Sequence, residues 1–133
     1  MGKYFTIGEL SESSTAKKKG INNVPDGVVR DNLTALIDNI LDPLRKAYGK
    51  PVTVNSGYRS PELNKAVGGA STSQHLTGEA ADITAGNAVE NKKLFDLAQG
   101  LKLPFDQIID EKNFAWVHIS YGRRNRRQVL HLK

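Results

Sequence analysis

Three side chains in this 133-residue sequence are equipped for chemistry: His75, Asp82 and His118. The first two lie in Ser73-Gln74-His75-Leu76-Thr77-Gly78-Glu79-Ala80-Ala81-Asp82, the third in Trp116-Val117-His118-Ile119-Ser120. Two imidazoles and a carboxylate form a mixed nitrogen and oxygen ligand set that suits Zn2+ with a fourth position open to water. A metal held that way does hydrolytic chemistry. The imidazoles must be neutral to coordinate, so affinity should fall in acid. The His-x6-Asp spacing equally fits a hydrogen-bonded histidine without a metal, because short motifs discriminate loosely. With no cysteine in the chain, disulfides, thiolate zinc sites and thiol catalysis are excluded. His131, the third histidine, is an alternative ligand that reads as a surface residue near the C-terminus.

Strand alternation is what would bring these groups together. On 80–84, Ala80, Asp82 and Thr84 share one face and Ala81 and Ile83 the other. On 116–120, Trp116, His118 and Ser120 share one face and Val117 and Ile119 the other. If the two strands pair, Ile83, Val117 and Ile119 cover helices while Asp82 and His118 enter one cleft. His75 then comes from a loop that Gly78 allows to reverse.

The remaining elements follow from periodicity and punctuation. Thr6-x-x-Glu9 has the form of a capping box and predicts a helical turn spent by Ser13-Ser14. Residues 15–27 read as a loop ending in a helix start. Leu33, Leu36, Ile37, Ile40, Leu41 and Leu44 predict a core-facing helix over 27–48, with Pro43 kinking or resetting it and Gly49 stopping it. Residues 51–55 read as a strand, 61–67 as a turn of helix with Pro61 first, and 68–73 as a loop. Residues 79–84 predict a strand, and 87–99 a helix with Val89, Leu94, Leu97 and Ala98 inward. Strands follow at 106–111, 115–121 and 127–132. Helices first and strands later predict an α+β fold, a small antiparallel sheet packed against helices. Without repeats or a low-complexity linker, residues 1–133 read as one domain.

Composition narrows the partners. No apolar run approaches the ~20 residues that span a bilayer. The first residues carry no secretory h-region, so the chain is expected to be made in the cytoplasm. The net charge is +5, with basic runs at Lys17-Lys18-Lys19 and Arg123-Arg124-Asn125-Arg126-Arg127. A basic surface favours polyanions, although short charge runs in loops are ordinarily solvated faces. Nucleic-acid binding through 123–127 would explain nothing about Asp82 or Trp116 and ranks last.

Ser73-x-His75-x-x-Gly78-x-Ala80-x-Asp82 followed by Trp116-x-His118 resembles the zinc D-Ala-D-Ala carboxypeptidase and L-alanyl-D-glutamate peptidase family, which has the hedgehog-type zinc peptidase fold. Val54-Asn55-Ser56-Gly57-Tyr58-Arg59-Ser60 is similar to that family's strand-then-arginine segment. Phe5-Thr6-x-x-Glu9-Leu10, Phe105-Asp106-Gln107-Ile108-Ile109 and Asn125-Arg126-Arg127-Gln128-Val129-Leu130 resemble its small, often prophage-borne members. The resemblance implies a zinc peptidase acting as a monomer on peptidoglycan stem peptides. It would reach the wall after release, by a holin-type or phage-associated route.

It also implies roles. His75, Asp82 and His118 would hold Zn2+. Arg59 would bind a substrate carboxylate or polarise the carbonyl, its guanidinium matching those oxygens as a fork. Ser73 and Gln74 would bond substrate or orient His75, and otherwise are loop packing. Trp116, on the same face as His118, would floor the substrate cleft or pack in the core. Tyr58 and Tyr121 are lesser candidates. Better-known members often carry an acid three residues before the final histidine, where this chain has Ala115. Glu111 is then the preferred general base, with Asp110 as the alternative; alternation puts the two on opposite faces. The missing acid also supports a second reading, a zinc-stabilised domain of the same fold that binds wall peptides without cutting them.

Overall fold

Capping chemistry sets the helix starts. In the computed structural model, which describes residues 4–122 and 124–132, the helices are α1 (Ile7–Ser11), α2 (Ser14–Lys19), α3 (Gly27–Leu36), α4 (Asp42–Tyr48), α5 (Pro61–Ala66) and α6 (Ala88–Gly100). Thr6, Ser13, Asp26, Ser60 and Asn87 each accept a hydrogen bond from the backbone N–H three residues on. That satisfies a donor the helix itself leaves unpaired. α2 lies within the stretch read from sequence as a loop. Only Ala16 of its residues is buried, so no apolar period announces it; its Ser cap and left-handed Gly20 define it instead.

The helix expected over 27–48 is present but not uniform. Between α3 and α4, Ile37–Leu41 forms a π turn, and the Asp42 N–H bonds to the Ile37 carbonyl five residues back. Pro43 explains the interruption: its ring would collide with the carbonyl four residues earlier, and it has no N–H to give. The wider turn opens that spacing. Leu33, Leu36, Ile37, Ile40, Leu41 and Leu44 all remain buried, so one apolar stripe survives the interruption. Gly49, in the left-handed region, ends α4.

The strands are β1 (Thr53–Ser56), β2 (Ala80–Thr84), β3 (Gln107–Glu111), β4 (Trp116–Ser120) and β5 (Gln128–Leu132), ordered β1-β2-β4-β3-β5. The α+β expectation holds. The sheet is antiparallel except that β5 runs parallel to β3. The expected inward face of β2 and β4 is realised: Ala81, Ile83, Val117 and Ile119 join α3, the π turn, α4 and α6 in the main hydrophobic cluster. In α6 the inward residues are Asn91, Leu94, Phe95 and Ala98. Val89, expected inward, is 69% exposed; it lies in the first turn, two residues before the stripe begins.

The buried amide of Asn91 ties this helix to the strands that carry the site. Its Oδ1 accepts from the Ala85 N–H at 2.6 Å, and its Nδ2 donates to the carbonyls of Phe114 at 2.8 Å and Ala115 at 3.2 Å. It thereby joins the end of β2 to the turn between β3 and β4. Asn91→Leu would leave those backbone groups without partners. The expected cost is about 1–3 kcal/mol, read as a lower urea midpoint; an unchanged midpoint would mean the network carries no stability.

Candidate metal centre and cleft

Strand register creates the site. β2 and β4 pair so that Asp82 lies directly opposite His118, both on the face turned away from the core. His118 Nδ1 is 3.0 Å from Asp82 Oδ1. His75 arrives from a 3-10 turn, Gln74–Thr77, that opens on the Ser73 hydroxyl, which accepts the His75 N–H at 3.1 Å, and closes on left-handed Gly78. The His75 ring Nδ1 lies 2.7 Å from the Gly57 carbonyl. A carbonyl only accepts, so Nδ1 carries a proton, and in the neutral ring Nε2 keeps its lone pair. That lone pair faces Asp82 Oδ1 at 3.4 Å.

Gly57 is required by close approach. A Cβ there would stand 2.1 Å from the Leu10 carbonyl oxygen, and the neighbouring Tyr58 N–H donates to that same oxygen at 2.7 Å. α1 therefore braces the carbonyl that orients His75. The Arg59 N–H adds a second tie, to the His75 carbonyl at 3.0 Å.

One ligand atom from each of His75, Asp82 and His118 lies within 4.8 Å of the others. Two atoms bound tetrahedrally to one zinc, each ~2.0–2.1 Å from it, stand ~3.3–3.4 Å apart. The 3.4 Å separation here matches that spacing, and the 3.0 Å one falls a few tenths of an ångström short of it. In the neutral His75 ring that lone pair, aimed at a buried carboxylate, makes a donor set that wants a cation between its atoms. The residues fit a metal. Burial works to raise the Asp82 pKa, but hydrogen bonds and charge from the His118 and His75 rings when these are protonated outweigh it and hold the carboxyl below the usual carboxylate range. Asp82 is ionised, as a ligand must be.

The three groups line a cleft of about 410 Å³ together with Arg59, Ser73, Gln74, Gln107, Ile109, Glu111, Trp116, Arg124 and Arg126. Arg59 is committed on three sides: Nε donates to Ser56 Oγ at 3.0 Å, Nη1 to Asn64 Oδ1 at 3.2 Å, and Nη2 lies 3.5 Å from Asp82 Oδ2. Alternation along β3 separates the two candidate bases. Glu111 faces the cleft and accepts the Trp116 indole N–H at 3.1 Å. Asp110 faces the other way, accepting the Phe114 N–H at 2.6 Å and lying 3.1 Å from His131 Nδ1. His131 is thus outside the cleft with Asp110. Tyr58 is buried in the core, and Tyr121 lines a neighbouring groove.

The cleft has a feature that sequence reading passed over. Asp106, 1% exposed, precedes β3 and grips the segment joining β4 to β5. Oδ1 accepts from Arg126 N at 3.2 Å and Nε at 2.8 Å, and Oδ2 from Arg126 Nη2 and Gln74 Nε2, both at 3.1 Å. Gln74 is thereby tied to the opposite wall. Arg124 and Arg126 belong to the basic run read as a solvated face, whose Arg123 lies outside the described residues. Alternation outward from Glu111 marks Gln107 and Ile109 as cleft residues; no local pattern marks Asp106.

The paired Arg126 guanidinium, against a smaller opposing effect of burial, pulls the Asp106 pKa down to about 2. A lowered folded-state pKa gives stability that is present above the unfolded value, near 3.9, and lost as pH falls through the folded one. Asp106→Asn should therefore lie furthest below wild type in stability above pH 5, with the gap closing between about pH 4 and 2. Urea titrations across that range check it; a constant gap would mean the charge of Asp106 contributes nothing.

Compared with known proteins, residues 3–120 match a family model described as Peptidase M15. Over 84 residues the chain is 54% identical to a protein of Streptomyces albus G named zinc D-Ala-D-Ala carboxypeptidase, covering 62% of this chain and 32% of that protein. The chain thus spans about a third of the length of this curated relative.

Proposed function

Because the chain belongs to the peptidase M15 family, we propose that it is a zinc peptidase that cuts peptide bonds in the stem peptides of bacterial peptidoglycan. The observation that carries this reading is the convergence of His75, Asp82 and His118 in a cleft that the Glu111 carboxylate also lines. The name of the Streptomyces relative supports both the metal and the substrate class. Whether the bond cut is terminal or internal, as in an endolysin, depends on how far the cleft admits chain beyond the metal.

Zinc held by His75 Nε2, Asp82 Oδ1 and His118 Nδ1 would supply Lewis acidity and water activation. The protein supplies the rest. Glu111 Oε2 is fixed by the Trp116 N–H, leaving Oε1 to take the proton of the attacking water and return it to the leaving amine. Trp116 thus positions the base as well as flooring the cleft. Glu111 pairs across the strands with Trp116, the neighbour of Ala115, so β3 brings a carboxylate next to the position where relatives often carry an acid. Gly57 and Ser73 hold the His75 imidazole in the orientation that keeps Nε2 available. Arg59 holds Asp82 from its second oxygen and keeps its remaining N–H groups for a substrate carbonyl.

Purified peptidoglycan incubated with the zinc-loaded protein should release new amino groups, and chelation should stop the release. Glu111→Gln should keep the metal but lose about 10²–10⁴-fold in rate, whereas His118→Ala should lose both metal and activity. Wall binding without any release by wild type would instead favour the non-cutting reading.

A further inference from the structure

Among the described residues three arginines line the cleft, and two of them are held by protein partners. Arg59 is engaged by Ser56, Asn64 and Asp82. Arg126 lies against Asp106 through Nε and Nη2. Arg124 is different. Its Nη2 comes only within 4.0 Å of Asp106, its side chain is 66% exposed, and among the described residues no hydrogen bond engages its guanidinium. Asp106 is already matched by Arg126, so Arg124 is a surplus cation on the cleft wall. It also lines a larger groove of about 720 Å³ on the other side of Gln74, so it stands where one hollow passes into the other.

The backbone beneath it is built to stay put. Asn125 and Arg127 both have positive φ, 42° and 54°, a conformation that costs an L-residue about 1–2 kcal/mol and persists only where the surroundings impose it. They do so here. Asn125 Oδ1 accepts the Gly122 N–H at 2.9 Å. Arg127 donates to the carbonyls of Leu103 at 3.1 Å and Gln99 at 3.3 Å and lies over the Phe105 ring. Asp106 holds Arg126 between them. A flexible cation on a pinned turn beside a reaction cleft loses little further backbone freedom on binding.

We infer that Arg124 is the residue by which the cleft recognises a carboxylate of the bound peptide, at the junction of the two hollows and away from the bond being cut. This rests on the peptidase reading for its substrate class. A guanidinium accepts a carboxylate as a bidentate fork and a neutral carboxamide much less well. A stem peptide offers two such groups, the C-terminal carboxylate and the α-carboxylate that a γ-linked D-glutamate leaves free. Arg124 selects one of them.

Three synthetic probes separate these cases: L-Ala-γ-D-Glu-L-Lys-D-Ala-D-Ala, its C-terminal carboxamide, and its D-glutamyl α-carboxamide. Calorimetry with zinc-loaded Glu111→Gln full chain keeps the peptides intact, and kcat/KM with the wild type gives a second readout. Amidating the recognised carboxylate should weaken binding about tenfold, and the amide that does so identifies which group it is. Adding Arg124→Gln should bring that acid-to-amide ratio close to one, with Arg124→Lys partly restoring it. Lys46→Gln, which removes an exposed cation of α4 outside both hollows, should leave the ratio as it was. A tenfold ratio that survives Arg124→Gln, or equal binding of all three peptides, overturns the inference. If wild type cuts none of them, the peptidase reading fails while the binding ratio still decides the role of Arg124.

Discussion

Everything at the site depends on one cross-strand pair, a buried carboxylate directly opposite a buried imidazole. Asp82 and His118 pair in a register of β2 and β4 that keeps both out of the core. Their neighbours Ile83, Val117 and Ile119 are fully buried, each worth about 1.5–3 kcal/mol. A slip of one residue would exchange the two sets, exposing the aliphatics and burying an acid among leucines. The aliphatic face therefore sets the position of the polar one. Burying Asp82 is tolerable because two imidazoles and Arg59 surround it, and the charge they leave on its shared oxygen is what a cation would neutralise.

Around that pair the cleft has two kinds of wall. One is the sheet itself, where β3 and β4 present Glu111, Trp116 and His118 at fixed strand spacing. The other is made of irregular chain, the His75 turn and residues 124–127 of the link to β5, held by single buried groups. Gly57 and Leu10 brace the first; Asp106 holds the second and, through Gln74, ties it back to the His75 turn. Loop-borne groups need such over-determination because the backbone alone would not fix them.

Much of this was legible in the sequence. Side-chain parity on two short strands put Asp82 and His118 on one face, and the same parity separated Glu111 from Asp110. The long apolar stripe announced the helical run, and Pro43 announced that it would be interrupted. What was not legible shares one property: it depends on contacts between distant segments. α2 has no apolar period to display. The parallel pairing of β5 with β3 is a matter of topology, invisible in the pattern of either strand. Asp106 looked like the opening residue of a strand, and its hold on Arg126, 20 residues on, has no local signature. A basic run read as solvated was half absorbed into the cleft for the same reason.

The parallel placement of β5 has a consequence of its own. To lie alongside β3 in the same direction, the chain leaving β4 must pass over the start of β3, which brings 124–127 across Asp106 and onto the rim of the cleft. A tight hairpin would have carried the chain away from it. Asp82, His118 and Glu111 are thus set in the sheet, while the rim is drawn by an irregular crossover. Such a division puts the Asp82 and His118 pair and the rim of the cleft on different kinds of backbone: regular strands fix the first, and an irregular crossover shapes the second.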